Sequence, residues 1–105
     1  MAMKYFLIRY QLKNGSAEQW HREVAQFIAA LENDTTLSGR ITYRAMKGKD
    51  DTEYYHLATA ADDQASKDLG ARDYFTRYTE KCDLVAGGGV QVLPLEIVAE
   101  TKHRA

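Results

Sequence analysis

His56 stands in the run EYYHLATA, directly after Tyr54 and Tyr55 and ahead of Leu57, Ala58, Thr59 and Ala60. Its ordinary pKa of about 6.5 lets an imidazole take or give a proton at neutral pH, and a phenol hydroxyl is a natural partner in that exchange. Tyr43 and Tyr54 are placed by alternation near His56, so these three form the candidate catalytic set. The chemistry they suit is acid–base work on a small aromatic compound, with a tyrosine orienting its oxygen. The same residues admit a second reading, in which His56 is a packed core histidine satisfied by a tyrosine hydroxyl and the alanines make room for Trp20 or Phe27.

Other chemistry is poorly represented. His21, beside Trp20 near a helix start, reads as a half-exposed boundary residue, and His103 belongs to a terminal KHRA segment expected to be exposed and disordered. The chain has no HxH, HxxxH or CxxC spacing, so no metal site is expected. Cys82 is the single cysteine; it shares a helix face with Tyr74 and Tyr78 and reads as a small core residue without an activating neighbour. Gly87-Gly88-Gly89 is no phosphate cradle, because it follows a helix and opens a strand, the reverse of the order such loops need.

The elements that must position His56 follow from periodicity. Lys4 to Leu12 alternates, with Phe6, Ile8, Tyr10 and Leu12 on one face and Tyr5, Leu7, Arg9 and Gln11 on the other. Ser16, with Gln19 three residues on, matches a helix start, and Trp20, Val24, Phe27, Ile28 and Leu31 make one apolar stripe on the helix that follows. Arg40 to Lys47 and Glu53 to Ala60 read as two strands joined by the turn GKDDT, hence an antiparallel hairpin. Asp62 or Asp63 caps a further helix, interrupted at Gly70 and resumed over Asp73 to Val85; a last strand is expected over Val90 to Thr101, with Pro94 suited to an edge or a bulge.

The order βαββαβ is that of the ferredoxin-like split βαβ, an α+β fold with a four-stranded antiparallel sheet and helices on one face. His56, Tyr54, Ala58 and Ala60 share a strand face, and the two alanines remove bulk where a pocket under the helices would need room. The candidate pocket residues on the strands are Ile8, Tyr10, Ala58 and Ala60. Those on the helices are Trp20, Phe27, Tyr74, Phe75 and Tyr78. The opposite sheet face carries Tyr5, Leu7, Met46, Tyr55 and Leu57, an apolar patch that water does not cover well, so a homodimer through that face is expected.

With 105 residues the chain fits one domain, residues 1–105, and its 14 basic and 15 acidic residues leave a net charge of −1. No basic footprint for nucleic acid is present, and no apolar run approaches the length needed to cross a bilayer. A lone cysteine fits a reducing compartment, so a cytoplasmic location is expected.

Over nearly its whole length the chain resembles the antibiotic-biosynthesis-monooxygenase-like group of dimeric α+β barrels. The resemblance rests on the first strand running through LKNG into an amphipathic helix, on the third strand ending in ATAADDQA, and on the interrupted second helix with DYFTRY. It implies a pocket between sheet and helices and admits cofactor-free oxygenases, haem-degrading enzymes, and lyases, isomerases or cyclases. Aligned on Asp62, Asp63, Gln64 and Ala65, the asparagine and tryptophan of cofactor-free members fall on His56 and Ala60, and their intervening glutamate on Ala58. The iron-ligating histidine of haem-degrading members has no counterpart in Arg72-Asp73-Tyr74-Phe75, so the expectation is a protein without cofactor. The reading that follows is a cofactor-free monooxygenase-like protein acting on a small aromatic or quinol compound; the alternative is a non-catalytic dimer that binds a small ligand or a partner.

Overall fold

Side-chain caps and apolar spacing decide where each helix begins and which way it faces. In the computed structural model, which describes residues 3–102, the Ser16 hydroxyl accepts from the Gln19 amide at 3.1 Å and opens α1 (Ala17–Glu32). The buried residues of α1 are Trp20, Val24, Phe27 and Leu31, a stripe at intervals of three and four. Asp62 performs the same service for α2 (Asp63–Gly70), accepting from the Ala65 amide at 2.8 Å. After a break at Ala71 and Arg72, α3 (Asp73–Ala86) runs to Gly87, whose φ of 65° is the left-handed cap conformation that glycine adopts without strain.

The strands are β1 (Lys4–Gln11), β2 (Ile41–Lys47), β3 (Glu53–Ala60) and β4 (Gln91–Leu95), all antiparallel, in the order β2-β3-β1-β4. This is the ferredoxin-like fold, with its second helix divided in two. The register sets Phe6 against Ala58, Ile8 against His56 and Tyr10 against Tyr54, while Tyr43 and Ala45 stand opposite Ala58 and His56 on the other side of β3. One sheet face therefore carries Tyr10, Tyr54, His56 and Ile41, all buried beneath the helices.

The last strand is shorter than the Val90 to Thr101 that alternation suggests: it ends at Leu95, and residues 96–102 are exposed without regular structure. Two physical reasons account for this. Pro94 has no amide to donate to a ladder, and β4 is an edge strand with a neighbour on one side only, so little draws the chain onward past Leu95, whose register partner Tyr5 is one residue from the start of β1. The polar, turn-rich stretch 32–39 hides a further core residue, Leu37, which is fully buried in the main core cluster.

Opposite the helices the sheet presents Leu57, Met46, Leu93 and Leu95 at 36–44% exposure, alongside half-buried Tyr5, Leu7 and Tyr55. No helix among the described residues is long and apolar enough to cross a membrane.

Candidate active site

β3 delivers His56 to the centre of the sheet's inner face, where it has no exposed surface at all. Its Nε2 lies 2.8 Å from the Tyr10 hydroxyl, and its Nδ1 lies 2.7 Å from the hydroxyl of Tyr43 and 3.1 Å from that of Tyr78. The two phenol oxygens are themselves 3.0 Å apart. On the far side the Trp20 indole N–H donates to Tyr10 at 2.7 Å. A continuous hydrogen-bonded line thus runs from α1 through β1 and β3 to β2 and α3. Burial costs the charged imidazolium its hydration and pushes the His56 pKa down to about 4, so the ring is neutral at physiological pH. The same desolvation pushes the Tyr43, Tyr78 and Tyr10 phenols upward, and all of them keep their protons.

Beside this line lies a largely apolar cavity of about 540 Å³ between the sheet and α2–α3, within the usual range for small-molecule sites. Its floor is built from Phe6, Ile8, Ile41, Ala58, Ala60 and Val92, and its roof from Leu69, Gly70, Phe75 and Cys82. Tyr43 and Tyr78 stand on its wall; His56 does not, so the imidazole meets the cavity only through those two phenols. Among the described residues lining it, Asp83 is the one charged side chain. The Cys82 thiol is pushed by burial up to about 12 and is not a thiolate.

The sequence-derived candidates divide accordingly. Ile8, Tyr43, Ala58, Ala60, Phe75 and Tyr78 come together around the cavity. Tyr10 and Trp20 sit behind His56 and reach it by hydrogen bonds, while Phe27 stacks on Tyr78 with ring centroids 4.0 Å apart. Tyr54 stacks on Tyr10 and hydrogen-bonds His21 at 2.8 Å, away from the cavity, and His21 itself is exposed. Tyr74 donates to Asp34 at 2.7 Å, where Arg72 also donates, so it braces the α2–α3 corner instead of facing the cavity. His103 lies outside the described residues. Phe6, Ile41, Leu69, Val92 and Cys82 line the cavity without having been singled out as pocket residues. Alternation already set Phe6 and Ile41 on the helix side of the sheet, but which inward residues border a void is a matter of packing.

No family model and no curated protein sequence matches the chain. Solved structures do. SnoaB, a cofactor-independent oxygenase from Streptomyces nogalater, superposes with a TM-score of 0.77 at 14% identity, over 96% of this chain and 98% of that one. A protein of Caulobacter crescentus CB15, provisionally described as an antibiotic biosynthesis monooxygenase, gives 0.77 at 17% identity over 92% and 91%. A dimeric ferredoxin-like protein of unknown function from Jannaschia sp. CCS1 gives 0.73 at 19% identity over 91% and 100%. The chain therefore shares the fold of the monooxygenase-like ferredoxin-type proteins.

Proposed function

We propose that the protein is a cofactor-independent monooxygenase-like protein whose cavity takes a small aromatic or quinol compound. The observation that carries this reading is the hydrogen-bonded path from the cavity wall to a buried histidine: Tyr43 and Tyr78 at the wall, His56 behind them. A phenolic substrate docks its oxygen against the two phenols, and the apolar floor and roof strip water from its ring. The phenol proton is released to solvent as the substrate docks, Tyr43 and Tyr78 donate to the oxyanion that remains, and this anion is the species that reacts with dioxygen, the peroxide formed taking a proton back from solvent. A phenol with an unsubstituted para carbon forms a C–O bond to dioxygen there, and the resulting hydroperoxide loses water to leave a quinone, so phenol plus dioxygen becomes quinone plus water. Tyr43 and Tyr78 touch the substrate oxygen in this scheme. His56 acts through them by fixing which phenol proton is offered to that oxygen, and this replaces its expected role as a general base.

The test is oxygen uptake by the purified protein with a panel of dihydroxyaromatics. Turnover that falls at least about 100-fold in His56→Ala, the usual scale for losing a preorganised donor to an oxyanion, supports the proposal; uptake unchanged in that variant overturns it. A second reading, binding without turnover, draws on the complete satisfaction of His56 by three phenols, which needs no reaction to explain it. It expects thermal shifts with the same panel and no oxygen consumption.

The reading extends to assembly and place. Two sheets packed on their outer faces would bury Leu57, Met46, Leu93 and Leu95, and the dimeric structural neighbour lends support to a homodimer. A single buried, free cysteine accords with the cytoplasm.

A further inference from the structure

Counting protons along the buried line gives it a direction. Five groups each bring one hydrogen: the Trp20 N–H, the Tyr10, Tyr43 and Tyr78 hydroxyls, and one ring N–H of neutral His56. Trp20 can only donate, so the Tyr10 oxygen accepts from it and the Tyr10 proton needs an acceptor of its own. Tyr10 is 2% exposed. Its available acceptors are His56 Nε2 at 2.8 Å and the neighbouring Cys82 sulfur, which is a weak one.

Two tautomers then compete. With the ring proton on Nε2, that N–H also points at Tyr10, and the Tyr10 proton is stranded in the core without a good acceptor. With the ring proton on Nδ1, Tyr10 donates to Nε2, Nδ1–H donates to Tyr43 or Tyr78, and one phenol donates to the other. One hydroxyl proton is then left over, and it belongs to a residue on the cavity wall. A stranded buried donor is costly, whereas a surplus proton facing a cavity can be taken up by water or a ligand. The second tautomer wins on that difference.

We infer that Trp20 and Tyr10 are positioning residues that hold His56 as the Nδ1–H tautomer, so that the inner end of the cavity is a hydrogen-bond donor and recognises a neutral ligand by a carbonyl oxygen. The ligand part rests on the site reading above; the tautomer does not. A carbonyl, or the oxyanion that replaces it as a reaction proceeds, accepts the surplus phenol proton. A carboxylate-bearing ligand is disfavoured, because among the described residues no lysine, arginine or histidine lines the cavity and Asp83 does.

Long-range nitrogen–proton NMR of the free protein at pH 7 reads the tautomer directly. The expected pattern is a protonated Nδ1 and an unprotonated Nε2 for His56; the reverse pattern overturns the inference. Binding of 1-tetralone is then compared with that of tetralin, which has the same skeleton without the carbonyl. The ketone is expected to bind at least about 5-fold more tightly, the worth of one hydrogen bond; equal affinity, or no binding of either, overturns the ligand assignment. In Trp20→Phe the Nε2–H form should gain population and the ketone preference should shrink, while an unchanged tautomer removes the positioning role. If that variant does not fold, the two wild-type measurements still decide. Absence of oxygen uptake would sink the oxygenase reading and leave both of these results standing.

Discussion

At the scale of single residues, the decisive group is His56, and its burial has a consequence for stability. The folded-state pKa lies near 4, below the ordinary 6.5, because the buried ring resists charging. The unfolded chain therefore binds the extra proton first as pH falls. The linked stability is fully present above about pH 6.5 and drains away between there and about pH 4. Its size is on the order of 3 kcal/mol for a shift of this extent. Urea unfolding at about pH 4.5 should give a stability roughly 2–3 kcal/mol below that at pH 7. His56→Asn should lower the plateau at neutral pH and flatten this slope; a slope that persists in the variant assigns it to other groups.

Among the elements, the break between α2 and α3 matters most to the cavity, because Leu69 and Gly70 before it and Phe75 after it all form the roof. Asp34, in the turn after α1, holds that corner: it accepts from Arg72 Nε at 2.7 Å, from the Tyr74 hydroxyl at 2.7 Å and from the Thr36 amide at 3.1 Å. The Arg72 guanidinium and the Tyr74 hydroxyl keep the Asp34 carboxyl well below the usual carboxylate range. Asp34→Ala removes the acceptor for all three donors and should cost about 2 kcal/mol in chemical denaturation. Amide hydrogen exchange should accelerate around residues 69–76 with little change in β1 and β3; uniform acceleration throughout the chain would argue against a local brace.

For the whole molecule, the outer sheet face decides assembly, since among the described residues it leaves Met46, Leu57, Leu93 and Leu95 exposed. Its register sets Leu7 between Leu57 and Leu93, with Tyr5 beside Leu95, a contiguous apolar strip across three strands. Contiguous surfaces of this kind on small proteins mark interfaces. Sedimentation at micromolar concentration should report about twice the 11.9 kDa chain mass. Leu93→Asp, at the β4 end of the strip, should shift the protein to monomer while the helical circular-dichroism signal is retained. A monomer in the unmodified protein would overturn the pairing.

Local pattern determined a great deal of this protein. Alternation in Lys4 to Leu12 and Glu53 to Ala60, the Ser16 and Asp62 caps and the Trp20–Leu31 stripe are properties of neighbouring residues, and they settled the element order and the inward face on which His56 lies. Three things were out of their reach. The last strand stops at Leu95 because a strand needs a neighbour as well as a pattern, and Leu37 is buried because its loop folds into the core, which a polar local pattern does not show. Above all, residues 10, 20, 43, 56 and 78 meet through hydroxyl and ring nitrogen atoms within about 3 Å of one another. Such a network depends on the tertiary crossing of β1, β2, β3, α1 and α3, and periodicity along one chain carries no record of which polar atoms will touch.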